Sequence, residues 1–207
     1  MNAEELIETV RSDSETALSR LGSSKSLYAD TQGEMEPDEV LAAAATAEHH
    51  AAETYGTWAE SEDGDVAAAF HETASEEREH YETVAGELET HEPGETPAIQ
   101  SYLRELEGTV ERLGGFVGRT LAAEQSKTQV TGFFVGNADP QTAALFRSMD
   151  DDLDTQLSRA SELLEAECAD ENDWDRAREA ANGAIEAAYE EYTERLESMG
   201  VNPKPVC

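Results

Sequence analysis

Apolar residues recur along most of this chain at every third or fourth position, and no run of alternating β-branched residues interrupts them. That period keeps side chains on one face of an α-helix, so the pattern predicts helices throughout. Pro37, Pro93, Pro97, Pro140, Pro203 and Pro205, together with Gly22-Ser23-Ser24, fall between the periodic runs and punctuate them. A first helix is expected over about residues 3–21, followed by a loop that carries Met35-Glu36-Pro37-Asp38. Longer helices are expected over about 38–60 and 65–89, joined by Ser61-Glu62-Asp63-Gly64-Asp65. The linker His91-Glu92-Pro93-Gly94-Glu95-Thr96-Pro97 leads to a short helix reaching about Leu113, where Gly114-Gly115 either breaks the helix or allows close packing. Further helices are expected up to about Val135, over 140–166 after the turn Asn137-Ala138-Asp139-Pro140, and over 173–198. The organisation is one all-α domain: an N-terminal helix and loop (1–37), a helix pair (38–90), a linker with a short helix (91–111), a second pair (112–166) and a C-terminal helix with a tail (167–207).

Four stripes stand out. Leu41, Ala45, Glu48, Ala52, Tyr55 and Ala59 form one face, and Val66, Phe70, Thr73, Glu77, His80 and Val84 form the next. Val117, Leu121, Glu124, Thr128, Thr131 and Val135 form the third, and Phe146, Met149, Leu153, Gln156, Ala160 and Leu164 the fourth. The second pair reads as a copy of the first. Residues 46–80 lie on 122–156 without a gap, matching Ala47, Glu48, Gly56, Asp63, Ala67, Ala68 and Phe70 to Ala123, Glu124, Gly132, Asp139, Ala143, Ala144 and Phe146. A helical hairpin followed by its copy gives four antiparallel helices with pseudo-twofold symmetry.

Glu48, Glu77, His80 and Glu124 interrupt otherwise apolar stripes. Uncompensated charges facing an interior cost several kcal/mol each, on the order of what one buried ion loses even after relaxation. A divalent metal supplies the compensation, and carboxylate oxygen with imidazole nitrogen suits iron, manganese or zinc. One Glu on one helix with Glu-x-x-His on its neighbour is half of the ligand pattern of di-iron carboxylate bundles.

Ala47-Glu48-His49-His50-Ala51-Ala52-Glu53-Thr54-Tyr55, Phe70 and Glu76-Glu77-Arg78-Glu79-His80-Tyr81 resemble the first helix pair of rubrerythrins, over residues 38–90 and more faintly over 112–166. The resemblance implies a ferritin-like four-helix bundle with extra N- and C-terminal helices, metal ligands at Glu48, Glu77, His80 and Glu124, and handling of peroxide, oxygen or iron. It also implies a homo-oligomer, with a dimer favoured, and an electron-donor protein as partner. The sequence departs from the family in the second half. Leu153 and Gln156 stand where the second Glu-x-x-His belongs, Lys127 replaces a carboxylate one turn after Glu124, and no Cys-x-x-Cys segment is present. The expectation is therefore at most one tightly bound ion of iron, manganese or zinc. The alternative is a metal-free scaffold that binds a partner or assembles. Lys127 either serves as counter-charge to Glu124 or reaches the surface. Asp150-Asp151-Asp152 reads as a solvated acidic face, although Asp152, next to Leu153, could restore a second site.

Charge changes the picture of the surroundings. The 207 residues include 47 acids against 14 bases, a formal charge of −33, and the lysines are Lys25, Lys127 and Lys204. Such a surface repels nucleic-acid phosphates and anionic lipid. Acids interleaved with regular apolar positions fit a folded protein adapted to multimolar salt, where screening acts within about 3 Å at 1 M; a halophilic, archaeal cytoplasm is the expected setting. The first residues carry no cationic apolar leader, and no apolar stretch approaches the length of a membrane span. Cys168 and Cys207 are expected as free thiols, with a single bridge between them as the other option.

Overall fold

A computed structural model describes residues 1–204, which are all-α: nine helices and no strand among them. The pairing of Cys207 lies outside the described residues. The N-terminal segment forms three short helices: α1 (Ala3–Asp13), α2 (Glu15–Leu21) and α3 (Ser24–Asp30). The single helix expected over 3–21 thus bends at Ser14, and α3 occupies part of the expected loop. Asn2 and Glu5 start α1 with a reciprocal capping box that satisfies two free backbone donors.

The long elements follow the expected boundaries within a few residues: α4 (Pro37–Ser61), α5 (Gly64–Ala85), α8 (Pro140–Glu167) and α9 (Glu171–Ser198). Pro37 and Pro140 open α4 and α8, where the missing N–H loses no hydrogen bond, and Asp139 caps α8 by accepting from the backbone of Gln141 and Thr142. The short α6 (Ala98–Arg104) ends earlier than expected, and α7 (Thr109–Gly136) runs straight through Gly114-Gly115. The glycines serve packing. A Cβ at Gly114 would strike the carbonyl of Ala177, and one at Gly118 that of Ala181, so these two glycines let α7 and α9 cross backbone to backbone.

The fold is two helical hairpins, α4 with α5 and α7 with α8, with α9 laid along α7 and α5 against α8. Helices α4 and α7 scarcely approach each other through their backbones. Apolar side chains gather at two levels. Tyr55, Trp58, Phe70, Phe116, Val117 and Leu164 belong to one cluster, and Leu41, Ala45, Val84, Val130, Phe134 and Phe146 to the other. Between these levels the four helices of the two hairpins bury a polar layer of Glu48, Glu77, His80, Arg119, Lys127 and Gln156.

Candidate metal centre

Each stripe on α4, α5 and α8 enters the interior as its period predicts. Every member of the α5 and α8 stripes is buried, and on α4 all but Ala59 are. Glu48, Glu77 and His80 therefore meet in the polar layer, at 4%, 0% and 6% exposure. One ligand atom from each lies within 4.8 Å of the others, so the three could hold a single metal ion.

His80 is the best-defined member. Its Nε2 lies 2.9 Å from Asp152 Oδ2. An ionised carboxylate only accepts, so Nε2 is the donor there. Its buried Nδ1 has no hydrogen-bond partner and faces Glu48 Oε2 at 3.9 Å and Glu77 Oε2 at 4.0 Å. A carboxylate holding the far ring nitrogen while the near one faces other ligands is the usual arrangement behind a metal-bound histidine. Asp152, read from sequence as a spare acid for a second site, is instead the orienting partner of His80.

Arg119 enters this layer without a counterpart in the sequence reading. Its Nη1 donates to Glu77 Oε1 at 2.7 Å and its Nη2 to Glu77 Oε2 at 2.8 Å. Nη2 also reaches Glu48 Oε2 at 3.5 Å, and the guanidinium carbon lies 5.8 Å from the centre of the Tyr55 ring. Lys127 is buried as well and donates to Glu48 Oε1. Gln156 Nε2 donates to Glu77 Oε1 at 2.8 Å. Formally, two carboxylates are matched by two fixed cations.

Electrostatics follow from that packing. Burial pushes Glu48 up, but the Lys127 ammonium, a hydrogen bond with Glu77 and the Arg119 guanidinium outweigh it and hold the carboxyl well below the usual range. Glu77 is pushed up by burial, which prevails over Arg119, and Glu48 beside it adds to the rise. Burial works against the charge on Arg119, yet Glu77, Tyr55 and Glu48 together raise its pKa further above the ordinary value.

Glu124, expected as the fourth ligand, is not brought to this group. Its carboxylate accepts from Arg11 at 3.0 and 3.2 Å on the α1 side of α7. The cause is a rotation of the buried face of α7. Lys127, Val130 and Phe134 point inward where Thr128, Thr131 and Val135 were expected, and Val135 is 54% exposed. Lys127 is thus counter-charge to Glu48 rather than to Glu124.

The neighbouring histidines do other work. His50 is buried and ties the linker down through Gly94 O at 3.0 Å. His49 packs edge-on against Tyr81 and stands near Glu53. Glu76 pairs with Arg159 at 2.8 Å. No family model, curated protein or solved structure matches this chain. No helix among the described residues is long and apolar enough to cross a membrane.

Proposed function

We propose that this chain is a ferritin-like, rubrerythrin-type bundle that holds one divalent ion between Glu48, Glu77 and His80. The observation that carries this reading is the unpartnered, buried Nδ1 of His80, aimed at one oxygen of each carboxylate while Asp152 takes the other ring nitrogen. The separations of 3.9 and 4.0 Å suit it. Two ligand bonds of about 2.1 Å span up to about 4.2 Å across a metal. Iron, manganese and zinc all accept this donor set. The paired hairpins and the repeat between residues 46–80 and 122–156 support the ferritin-like assignment.

A second ion does not fit. Arg119 and Lys127 place two positive charges on these carboxylates, with Arg119 Nη2 also against the Oε2 atoms that face His80, Glu124 is turned to Arg11, and Leu153 offers no donor. Two unit charges at 4 Å interact by about 4 kcal/mol at an effective dielectric near 20, and a divalent ion doubles that repulsion. When bound, the single ion supplies Lewis acidity, or with iron one-electron chemistry toward oxygen or peroxide. Of the chain's own groups, Glu48 and Glu77 supply charge, Asp152 fixes the imidazole and Arg119 restrains Glu77. The acid excess supports a high-salt cytoplasm as the setting.

A second reading rests on Arg119. Its two-pronged grip on Glu77 and the Lys127–Glu48 pair already balance the layer. A metal-free scaffold, with His80 bonded to Asp152, would keep the same geometry. Metal counting by mass spectrometry decides between them. Protein reconstituted with ferrous, manganous or zinc ions should hold about one ion per chain and lose it in His80→Ala. No retained ion in any of the three favours the scaffold, and two ions per chain would refute both readings.

A further inference from the structure

Outside the His80 group, one other set of side chains converges as metal ligands do. His49, His50 and Glu53 lie within about one turn of α4, and one donor atom from each lies within 4.8 Å of the others. Glu53 stands four residues after His49 and three after His50, the two spacings that bring side chains together on a helix. Its Oε1 is 3.6 Å from His49 Nε2, and its Oε2 is 3.3 Å from His50 Nδ1. Two metal–ligand bonds of about 2.1 Å span up to about 4.2 Å, so both separations suit donors that share one ion.

The two imidazoles are held in different ways. His50 Nε2 donates to Gly94 O at 3.0 Å, since a carbonyl oxygen only accepts. A backbone carbonyl on one ring nitrogen fixes the tautomer and leaves the other, Nδ1, to ligate beside Glu53. His49 Nε2 is uncommitted, because 3.6 Å is beyond hydrogen-bond reach, while Tyr81 packs edge-on against the ring. A cation already stands between two of these donors. Arg104 Nη2 donates to Glu53 Oε2 at 3.0 Å and lies 3.4 Å from His50 Nδ1. Arg104 is anchored separately through Nε, which donates to Thr54 Oγ1 at 3.0 Å, and its side chain is 35% exposed. Its outer end can therefore swing aside without losing its hold on α4.

We propose that His49, His50 and Glu53 form a separate, exchangeable site for a divalent ion that favours imidazole, copper(II) foremost. Copper(II) binds nitrogen and oxygen donors of this kind more tightly than the other divalent first-row ions do. Water completes the coordination on the exposed side, and Arg104 competes with the ion for Glu53 and His50. Because Glu53 is 52% exposed, the ion exchanges with solvent and is lost on desalting, so it does not add to the ions the chain retains. The site uses none of Glu48, Glu77 and His80, and it stands whether or not they hold an ion.

The test is equilibrium titration of the full chain with copper(II) in about 1 M KCl, where a Debye length of about 3 Å suppresses loose attraction to the acidic surface. Electron spin-echo modulation counts the imidazoles on each copper. The wild-type chain should show one copper that carries two imidazoles, which the His80 group with its single histidine cannot supply. His49→Ala should remove that signal and weaken this copper more than about a hundred-fold, the upper end of what losing a group behind a ligand costs. The His49 side chain is 31% exposed and its Nε2 makes no hydrogen bond to Glu53, so this variant should fold, as a thermal melt checks. Arg104→Gln keeps a donor for Thr54 and removes the competing charge, so it should tighten copper at least about ten-fold. A purely structural Arg104 would not move the affinity upward. No two-imidazole copper in the wild-type chain, the same signal and affinity in His49→Ala, or equal or weaker affinity in a folded Arg104→Gln would overturn the proposal.

Discussion

Arg119 lays both terminal nitrogens of its guanidinium on the two oxygens of Glu77, at 2.7 and 2.8 Å, where neither side chain is more than 5% exposed. Truncating one member of such a pair strands the other. Arg119→Ala should therefore destabilise the metal-free protein by about 3–5 kcal/mol. It also removes the charge that repels an ion, so added zinc should restore part of the loss. Denaturant titrations with chelator and with zinc measure both effects, and a loss below about 1 kcal/mol would show that the pair is not closed to water.

Asp152 touches the proposed ion only through His80. Asp152→Asn should weaken metal binding by about 10–100-fold without abolishing it, the usual consequence of losing a carboxylate behind a metal-bound histidine. Competition with a chromophoric chelator reads the affinity. An unchanged affinity would remove Asp152 from the site.

Glu124 pairs with Arg11, whose side chain is 43% exposed. Glu124→Gln should leave metal stoichiometry unchanged and cost about 0–1 kcal/mol, less at high salt. A fall in metal content in this variant would return Glu124 to the ligand set that the repeat predicts.

Two glycines of α7 should respond in opposite ways. Gly118→Ala drives a methyl into the carbonyl of Ala181 and should destabilise by about 1–3 kcal/mol. Gly132 has nothing within 4 Å of the position a Cβ would take, so Gly132→Ala should stabilise by about 0.5–1 kcal/mol through helix propensity. Thermal melts of the two variants separate a packing glycine from one the repeat merely retains.

Cys168 is half-buried near Asp173 and Glu165. Burial and these acids push its thiol up to about 11 from an ordinary 9.0. The thiolate is the reactive form, so at pH 8 reduced protein in a Cys207→Ser background should be alkylated about a hundred-fold more slowly than when unfolded. The rate should climb steadily until the pH reaches about 11. A plateau already at pH 9 would contradict this environment.

The stripes on α4, α5 and α8 were legible because each of these helices has one buried face and one wet face, so the period survives in the sequence. Helix α7 is different. From Leu113 to Ala122 it is enclosed on all sides, by α8, by α9 and by the N-terminal helices, and its residues there are buried without a break. No period marks an inward face in such a run. Farther along, Phe134 claims the interior ahead of Val135, which turns the helix by one position. That small rotation sends Glu124 out to Arg11 and brings Lys127 in. Arg119 did leave a signal: a lone cation inside the unbroken run Leu113–Leu121 has no path to water and must find its counter-ion indoors.

The polar layer also bears on how the two hairpins find their alignment. The apolar surfaces above and below it are built from interchangeable alanines, valines and aromatics that would tolerate axial slippage. The charged groups would not. A shift of one helical turn, about 5.4 Å, would carry Arg119 away from Glu77 and Lys127 away from Glu48 and bury four unmatched charges. Sequence separations of 42 and 79 residues mean that these contacts close only once both hairpins have docked. The layer thus acts as a late proofreading step, admitting one register of the hairpins and rejecting its neighbours before any ion or ligand is present.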